Sequence, residues 1–426
     1  MIASEHQPDP RRVSLFRQVV AQPVLRRLLP AMALSALGDG MSAVAVAWLA
    51  LRLAGEGHRG YAVGAAVAAY TLPGAVGAIV LTKPLRRRSG AQLLAADAAL
   101  RAVALAAIPI LYAFGLLKLP SYVALLAASS VLHGWGISGR YTMVAEHLPE
   151  ELQRTGNALL STFDMSSLIV GPLLVGLIVA VADPSVAIAA DAASFAVLAL
   201  VAGSLAGTRT DRTAADEAAD EPEHPHGHGF RVISSTPALA GLLALTWLYF
   251  FLYGPVEVAL PLYVVDSLHG SAGLFGLFWA VFGIGAVTGT VVAGTLRRLP
   301  LWPTLLLAVI GWGAALLPLG LLDSVPVVLA SFAIGGLVFG PYNALSASIF
   351  QKQSPRADLS QVLAARGALT VLAAPLGAAL GGPLVARLGA AHTFLASGVA
   401  TIVVGVAAVI VIGVRKNRPA ADSVSR

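Results

Sequence analysis

The chain has no cysteine in 426 residues, which removes disulfides, thiolate nucleophiles and cysteine-ligated metals. Charge is also scarce. Only 12% of residues are Asp, Glu, Lys or Arg, against about 25% in an ordinary soluble domain. No Gly-x-x-x-x-Gly-Lys loop occurs, so nothing points to a nucleoside triphosphate as the energy source. No apolar stretch holds a serine, a histidine and an aspartate at a common depth, and no enzyme activity or cofactor is expected. The net charge of +6 is not gathered into a basic domain, which argues against nucleic acid as a partner. His224, His226 and His228 alternate beside a string of acids, but a flexible tract offers no preformed coordination geometry and no metal site is expected.

What the chain has in abundance is apolar sequence: 57% hydrophobic residues and a mean hydropathy of +0.79. That describes a polytopic membrane protein. Apolar runs lie near 28–51, 61–82, 92–117, 121–143, 156–181, 184–206, 238–264, 272–294, 301–322, 325–350, 361–385 and 391–414, each long enough to cross a bilayer as a helix. The fold class that follows is an all-α membrane protein of twelve transmembrane helices. Proline and acidic residues mark the shortest breaks, at Leu119-Pro120, Ala182-Asp183-Pro184 and Asp323 to Pro326. Residues 1–27 are polar and arginine-bearing and precede a run too long for a signal-peptide core, so no cleaved signal is expected.

Lysine and arginine give the orientation. With the amino terminus inside, the outer links hold only Arg52, Arg59, Lys118 and Arg387, Arg101 falls within the third span, and the others lie on or near the inner side. Both termini are therefore expected in the cytoplasm, with segment 1–27 at one end and tail 416–426 at the other. The longest polar gap, 208–236, reads as a cytoplasmic linker between a six-span half at 28–207 and another at 237–415. The halves echo each other. Gly64, Gly77 and Arg86 recur as Gly276, Gly289 and Arg298, and Gly139-Arg140-Tyr141 recurs as Gly340-Pro341-Tyr342, in the same order and at similar offsets. Two parallel six-helix pseudo-repeats are one known plan of secondary transporters.

Twelve spans split six and six, a basic link Lys83 to Arg88 after span two and its repeat Arg297-Arg298 after span eight resemble the major facilitator superfamily over nearly the whole chain. Within it, Arg140, Glu146, Leu148-Pro149-Glu150, Asn157-Ala158 and Gly171-Pro172 are similar to the drug:proton antiporter branch that contains enterobactin exporters and macrolide efflux proteins. Gly38-Asp39 is similar to that branch as well. Gly171, Pro172 and Gly176 resemble an antiporter motif, with Ser167 and Val175 where glycines are usual. The resemblance does not carry two charges over: Arg87 stands at the aspartate of the superfamily's loop after span two, and Ser130 at the span-four arginine of many proton-coupled exporters.

Five acids fall inside spans: Asp39, Asp97, Asp164, Asp191 and Glu257. A carboxylate at a helix centre is tolerated mainly where it faces a bundle interior or a wet cavity. Asp39 is the deepest and has no basic residue nearby in its own helix, which makes it the first candidate for proton coupling or substrate contact. Glu257, after Gly254-Pro255 in span seven, is the second. Asp97 and Arg101 are spaced for an i,i+4 ion pair. Asp164 is placed to pair with Arg140 or Arg366 in an inner latch that breaks as the halves rock, and Asp191 is a further intramembrane acid. Tyr249, Tyr253, Phe339 and Tyr342 are candidates to line a cavity for flat hydrophobic or cationic compounds. Packing explains each of these residues as an alternative.

The reading that unites these features is a monomeric secondary active transporter of a bacterial cytoplasmic membrane, exporting hydrophobic or amphipathic small molecules against protons by alternating access. Two other readings stay open: a dedicated exporter of a siderophore, secondary metabolite or lipid, and a non-transporting membrane sensor on the same fold.

Overall fold

The computed structural model describes residues 15–55, 57–81, 85, 88–206, 228–295 and 300–417. Lys83, Arg86, Arg87, Arg297, Arg298, His224, His226 and all but the last residues of the expected linker lie outside them. Among the described residues the chain is helical throughout, in two sequential bundles.

In the first half, a short α1 (Leu15–Ala21) leads into α2 (Pro23–Leu53), α3 (Arg59–Val80), α4 (Gly90–Ala113), α5 (Leu119–Ser130), α6 (His133–His147), α7 (Glu150–Val181) and α8 (Pro184–Leu205). In the second, α9 (His228–Ser235) precedes α10 (Pro237–Leu262), α11 (Ala272–Thr295), α12 (Leu301–Leu321), α13 (Val325–Phe339), α14 (Tyr342–Gln353), α15 (Leu359–Thr370), α16 (Ala373–Leu388) and α17 (Ala390–Asn417). Among the described residues, eleven segments are long and apolar enough to cross a membrane. The twelfth expected span, the fourth in order, is broken at Val131-Leu132 into α5 and α6. Spans ten and eleven are also interrupted, between α13 and α14 and between α15 and α16.

Helix starts follow local chemistry. Pro23 occupies the first turn of α2, where its missing N–H is no loss, and the Gln22 side chain accepts from Val24 and Leu25 N–H at 2.8 Å each. The fifth span begins at Glu150, six residues before its apolar run, because Glu150 and Glu151 suit the positive end of the helix dipole. Side chains such as Val103, Leu177, Val181, Leu200 and Phe114 are more than half exposed, an outward apolar surface that lipid covers and water would not.

The sequence echo is structural. Gly77 lies against the carbonyl of Val131 in the fourth span, and its counterpart Gly289 lies against the carbonyl of Leu337 in the tenth. Gly64 lies against Gly382 of α16 in the opposite half, and its counterpart Gly276 against Pro172 of α7. Each repeat thus uses the same glycine to let one helix approach its own half and another to let it approach the other half. The cross-half approaches fall in the ends of α3, α7, α11 and α16 that lie away from the termini. Arg59 reaches Asp266 across the same end at 3.1 Å.

Of the expected linker, residues 228–235 form α9, which packs on α15 and α10. His228 of α9 meets Asp358 at 3.0 Å.

Candidate functional site

The local geometry of Gly38-Asp39-Gly40 explains its composition. Gly38 faces the carboxyl of Asp191 on α8, and Gly40 faces the backbone of Ser167 on α7 and lies against Gly171, so α2 touches two helices with no room for a Cβ at either glycine. Asp39 projects from this close-packed stretch toward α3 and α4, with its side chain 30% exposed.

Asp39 is not alone. Arg101 of α4, 1% exposed, donates from Nη2 to Asp39 Oδ1 and to the Tyr70 hydroxyl at 2.6 Å. Tyr70 donates to the same carboxylate oxygen at 3.1 Å. The other terminal nitrogen of Arg101 is 2.5 Å from His133 Nδ1. A guanidinium has no acceptor, so His133 accepts there and is neutral at that nitrogen. The Phe195 ring lies beneath the guanidinium at 4.3 Å. Asp191 sits beside this group, fully buried, accepting from Ser42 and Ser194. Five spans of the N-terminal half thereby converge on one buried polar cluster.

This corrects the expected i,i+4 pair. Arg101 turns to Asp39 on another helix and not to Asp97, whose Oδ1 has no hydrogen-bond partner among the described residues. The physical reason is that the guanidinium gains three partners across the bundle, where Asp97 alone would give it a carboxylate and nothing for its other donors. Asp164 pairs with Arg140 at 3.1 Å. Arg366 does not join them: it donates to Ser346 at 3.3 Å and lies over Phe350. Arg140 and Asp164 belong to the same half, so their pair does not bridge the halves as a latch would.

Between the halves lies a cavity of about 200 Å³. Gly40, Val67, Tyr70, Thr71 and Pro172 line it from one side; Tyr253, Glu257, Phe275 and Trp279 line it from the other. Tyr253 and Glu257 lie one turn apart on α10, and both line the cavity. Trp279 presents an indole N–H without a partner among the described residues, and Trp48 stacks on Phe275 at 5.9 Å. Tyr70 belongs both to the cavity wall and to the Arg101 cluster.

Of the four aromatic candidates, only Tyr253 lines this cavity. Tyr249 and Tyr342 are fully buried and stacked on each other at 4.2 Å, and Phe339 packs on Tyr249 at 5.4 Å. Their rings fill the core of the C-terminal half, because a stack of this size gains more from mutual contact than from a wet surface. Gly171 and Gly176 are contact points, on α2 and on Gly273 of α11, while Pro172 reaches the cavity. Sequence reasoning missed Tyr70, His133, Ser42, Phe195, Phe275 and Trp279. One signal was available for the cluster: a mid-span arginine must be neutralised from somewhere, and four acids inside spans of the same half were at hand.

The chain is 29% identical over 394 residues to the multidrug efflux pump Tap of Mycolicibacterium fortuitum, covering 88% of this chain and 92% of that protein. It is 26% identical over 173 residues to macrolide efflux protein A of Streptococcus pyogenes, 40% of this chain and 43% of that one. The nucleoside transporter NupG shares the fold with a TM-score of 0.74 at 12% identity, over 92% of this chain and 99% of that chain. The sequence pattern described as Major Facilitator Superfamily matches residues 28–298 and 242–425, nearly the whole length, and the chain belongs to that superfamily.

Proposed function

We propose that this protein is a proton-coupled exporter of hydrophobic or amphipathic small molecules, cationic ones foremost, working as a monomer by alternating access in a bacterial cytoplasmic membrane with both termini inside. The observation that carries the reading is the cavity between the halves. Its wall is mostly apolar and aromatic, and Glu257 is the acid in it, with no basic side chain among the lining residues. A lipophilic cation entering such a site exchanges water for aromatic faces and a carboxylate. Asp39, behind Tyr70 in the cavity wall, is already paired with Arg101, which leaves Glu257 as the acid open to a cation. The similarity to drug efflux pumps supports export over import.

The two acids therefore divide the work: Glu257 selects charge, and Asp39 binds the driving proton from the outer side and releases it inside. The test is transport in proteoliposomes with a panel of lipophilic cations and uncharged macrolides. Glu257→Gln is expected to lower kcat/KM for the cations by about tenfold or more, the loss of one charge-assisted contact of about 1.5–3 kcal/mol, and to leave uncharged compounds nearly unchanged. Asp39→Asn is expected to abolish compound-driven proton movement for both. Equal loss of cations and uncharged compounds in Glu257→Gln would contradict the selective role. Absence of flux of every compound in the panel would favour a dedicated metabolite exporter or a sensor.

A further inference from the structure

Two apolar grooves flank the first half of α10. The larger, of about 730 Å³, lies between α9, α10 and α15, with Phe230, Arg231 and Ser234 at one end and Trp247, Leu248 and Leu369 at the other. The smaller, of about 400 Å³, lies between α10, α12, α14 and α17, and Trp302, Gln353 and Val411 are among its walls. Leu248 belongs to both grooves. Between them α10 presents only the small residues Ala240, Gly241 and Ala244, and nothing lies within 4 Å of a carbon added at Gly241. The result is a low saddle with a furrow on each side. Gly241, Ala244 and Leu248 are exposed, and at 3.6 residues per turn they face away from Tyr253 and Glu257 of the same helix, which line the cavity. The saddle therefore opens to lipid.

Length and charge say what fits it. Leu248 stands eleven residues into α10, counted from Pro237, and Leu369 ten into α15, counted from Leu359. At 1.5 Å per residue the larger groove is about 15 Å deep, half of a hydrocarbon core of about 30 Å and so one leaflet. The polar groups gather at its shallow end. Arg231 is exposed and joins none of the ion pairs among the described residues. In the smaller groove Gln353 Oε1 has no hydrogen-bond partner among those residues. The short helix α9 is pinned to present its arginine there. Gly229 lies against the backbone of Gln361 with no room for a Cβ, Ile233 is buried, and His228 meets Asp358 at 3.0 Å, which leaves Phe230 and Arg231 turned outward.

We propose that this saddle is a binding site for one diacyl phospholipid, its two chains lying in the two grooves astride α10 and its phosphate held by Arg231. A guanidinium at the head of an apolar furrow one leaflet deep matches an anionic phosphate followed by an acyl chain. The small side chains of Ala240, Gly241 and Ala244 leave space for the glycerol backbone to cross the helix, and Gln353 supplies an acceptor for a hydroxylated headgroup. Only the choice of leaflet, the inner one, rests on the orientation proposed above. Binding itself depends neither on that orientation nor on transport. Lipid that merely coats the protein would read neither the phosphate nor the number of chains; this site reads both.

The test is native mass spectrometry of the purified, delipidated full-length protein titrated with three probes: dioleoylphosphatidylglycerol, its single-chain lyso form, and dioleoylglycerol, which has both chains and no phosphate. The expected result is one phosphatidylglycerol bound at concentrations where neither of the other two binds. Arg231→Gln should weaken that binding about tenfold or more, the loss of one charge-assisted contact, while leaving the weak binding of dioleoylglycerol unchanged. Ala244→Trp should abolish it by filling the saddle. Both positions are exposed, so the fold should survive, and Gly241→Leu serves for the same comparison if Ala244→Trp does not fold. Equal binding of the lyso form overturns the placement astride α10. Equal binding of dioleoylglycerol, or undiminished binding of phosphatidylglycerol in Arg231→Gln, overturns the phosphate contact and leaves an unselective lipid coat. None of these results bears on Glu257 or Asp39, so the transport reading stands or falls separately.

Discussion

Arg101 shows what a charge inside a bilayer requires of its neighbours. An unpaired ion at that depth is costly, and removing one partner of a buried pair leaves the other uncompensated, at about 3–5 kcal/mol. Arg101→Leu should therefore lower the thermal stability of the detergent-solubilised protein steeply, and Asp39→Asn combined with Arg101→Leu should recover most of the loss. A double variant as unstable as Arg101→Leu alone would mean that the contacts to Tyr70 and His133, and not charge balance, hold the cluster together. At this scale the sequence was readable in depth and not in direction. Hydropathy put Asp39, Asp97, Asp191 and Arg101 inside spans, but the pair that forms joins residues 62 apart in sequence and depends on which way each helix faces. An intrahelical spacing suggested Asp97 as the partner; helix rotation in the bundle decided for Asp39. The same limit hid the burial of Tyr249 and Tyr342, whose helical phase could not say whether they faced cavity or core.

Helices in this chain approach each other where glycines remove the side chain, and the duplicated positions show that the approach is under common design. In the membrane such packing takes the place that hydrophobic burial has in water, since lipid is as apolar as the helix surface. Gly77→Ala and Gly289→Ala should each drive a Cβ into a facing carbonyl, of Val131 and of Leu337, and should destabilise by similar amounts, about 1–3 kcal/mol. Gly241→Ala, with nothing within 4 Å of its added carbon, should be neutral or slightly stabilising. Thermal unfolding of the three variants checks this, and a loss in Gly241→Ala equal to the others would show that close approach at the facing carbonyl is not what sets the cost. Element existence was legible: the apolar runs match the helices to within a few residues. The break at Val131-Leu132 was not, because its residues are apolar and no proline or glycine sits at the junction to announce it.

The two halves meet along α3 with α16 and α7 with α11, near the end away from the termini, where Arg59 and Asp266 also join them. In the orientation proposed above, with the termini inside, the closed end is the outer one, the state from which a compound would enter from the cytoplasm. Composition and the count of runs were enough to anticipate two bundles, since twelve apolar spans and a repeated glycine pattern leave few alternatives; which end was closed depended on contacts between residues 207 apart, such as Arg59 and Asp266, that no local signal records. That pair is 39% and 47% exposed, so it contributes at most about 1 kcal/mol and can open readily. A rocking carrier must break it in every cycle. Because the chain has no cysteine, Arg59→Cys with Asp266→Cys provides the molecule's only two thiols. Bridging them with a short reducible thiol-specific reagent should stop transport in proteoliposomes while ligand entry from the terminal side continues, and reduction should restore turnover. Unimpaired turnover with the bridge complete would mean that the outer ends of α3 and α10 do not separate, and that the substrate leaves by a path other than the opening of this end.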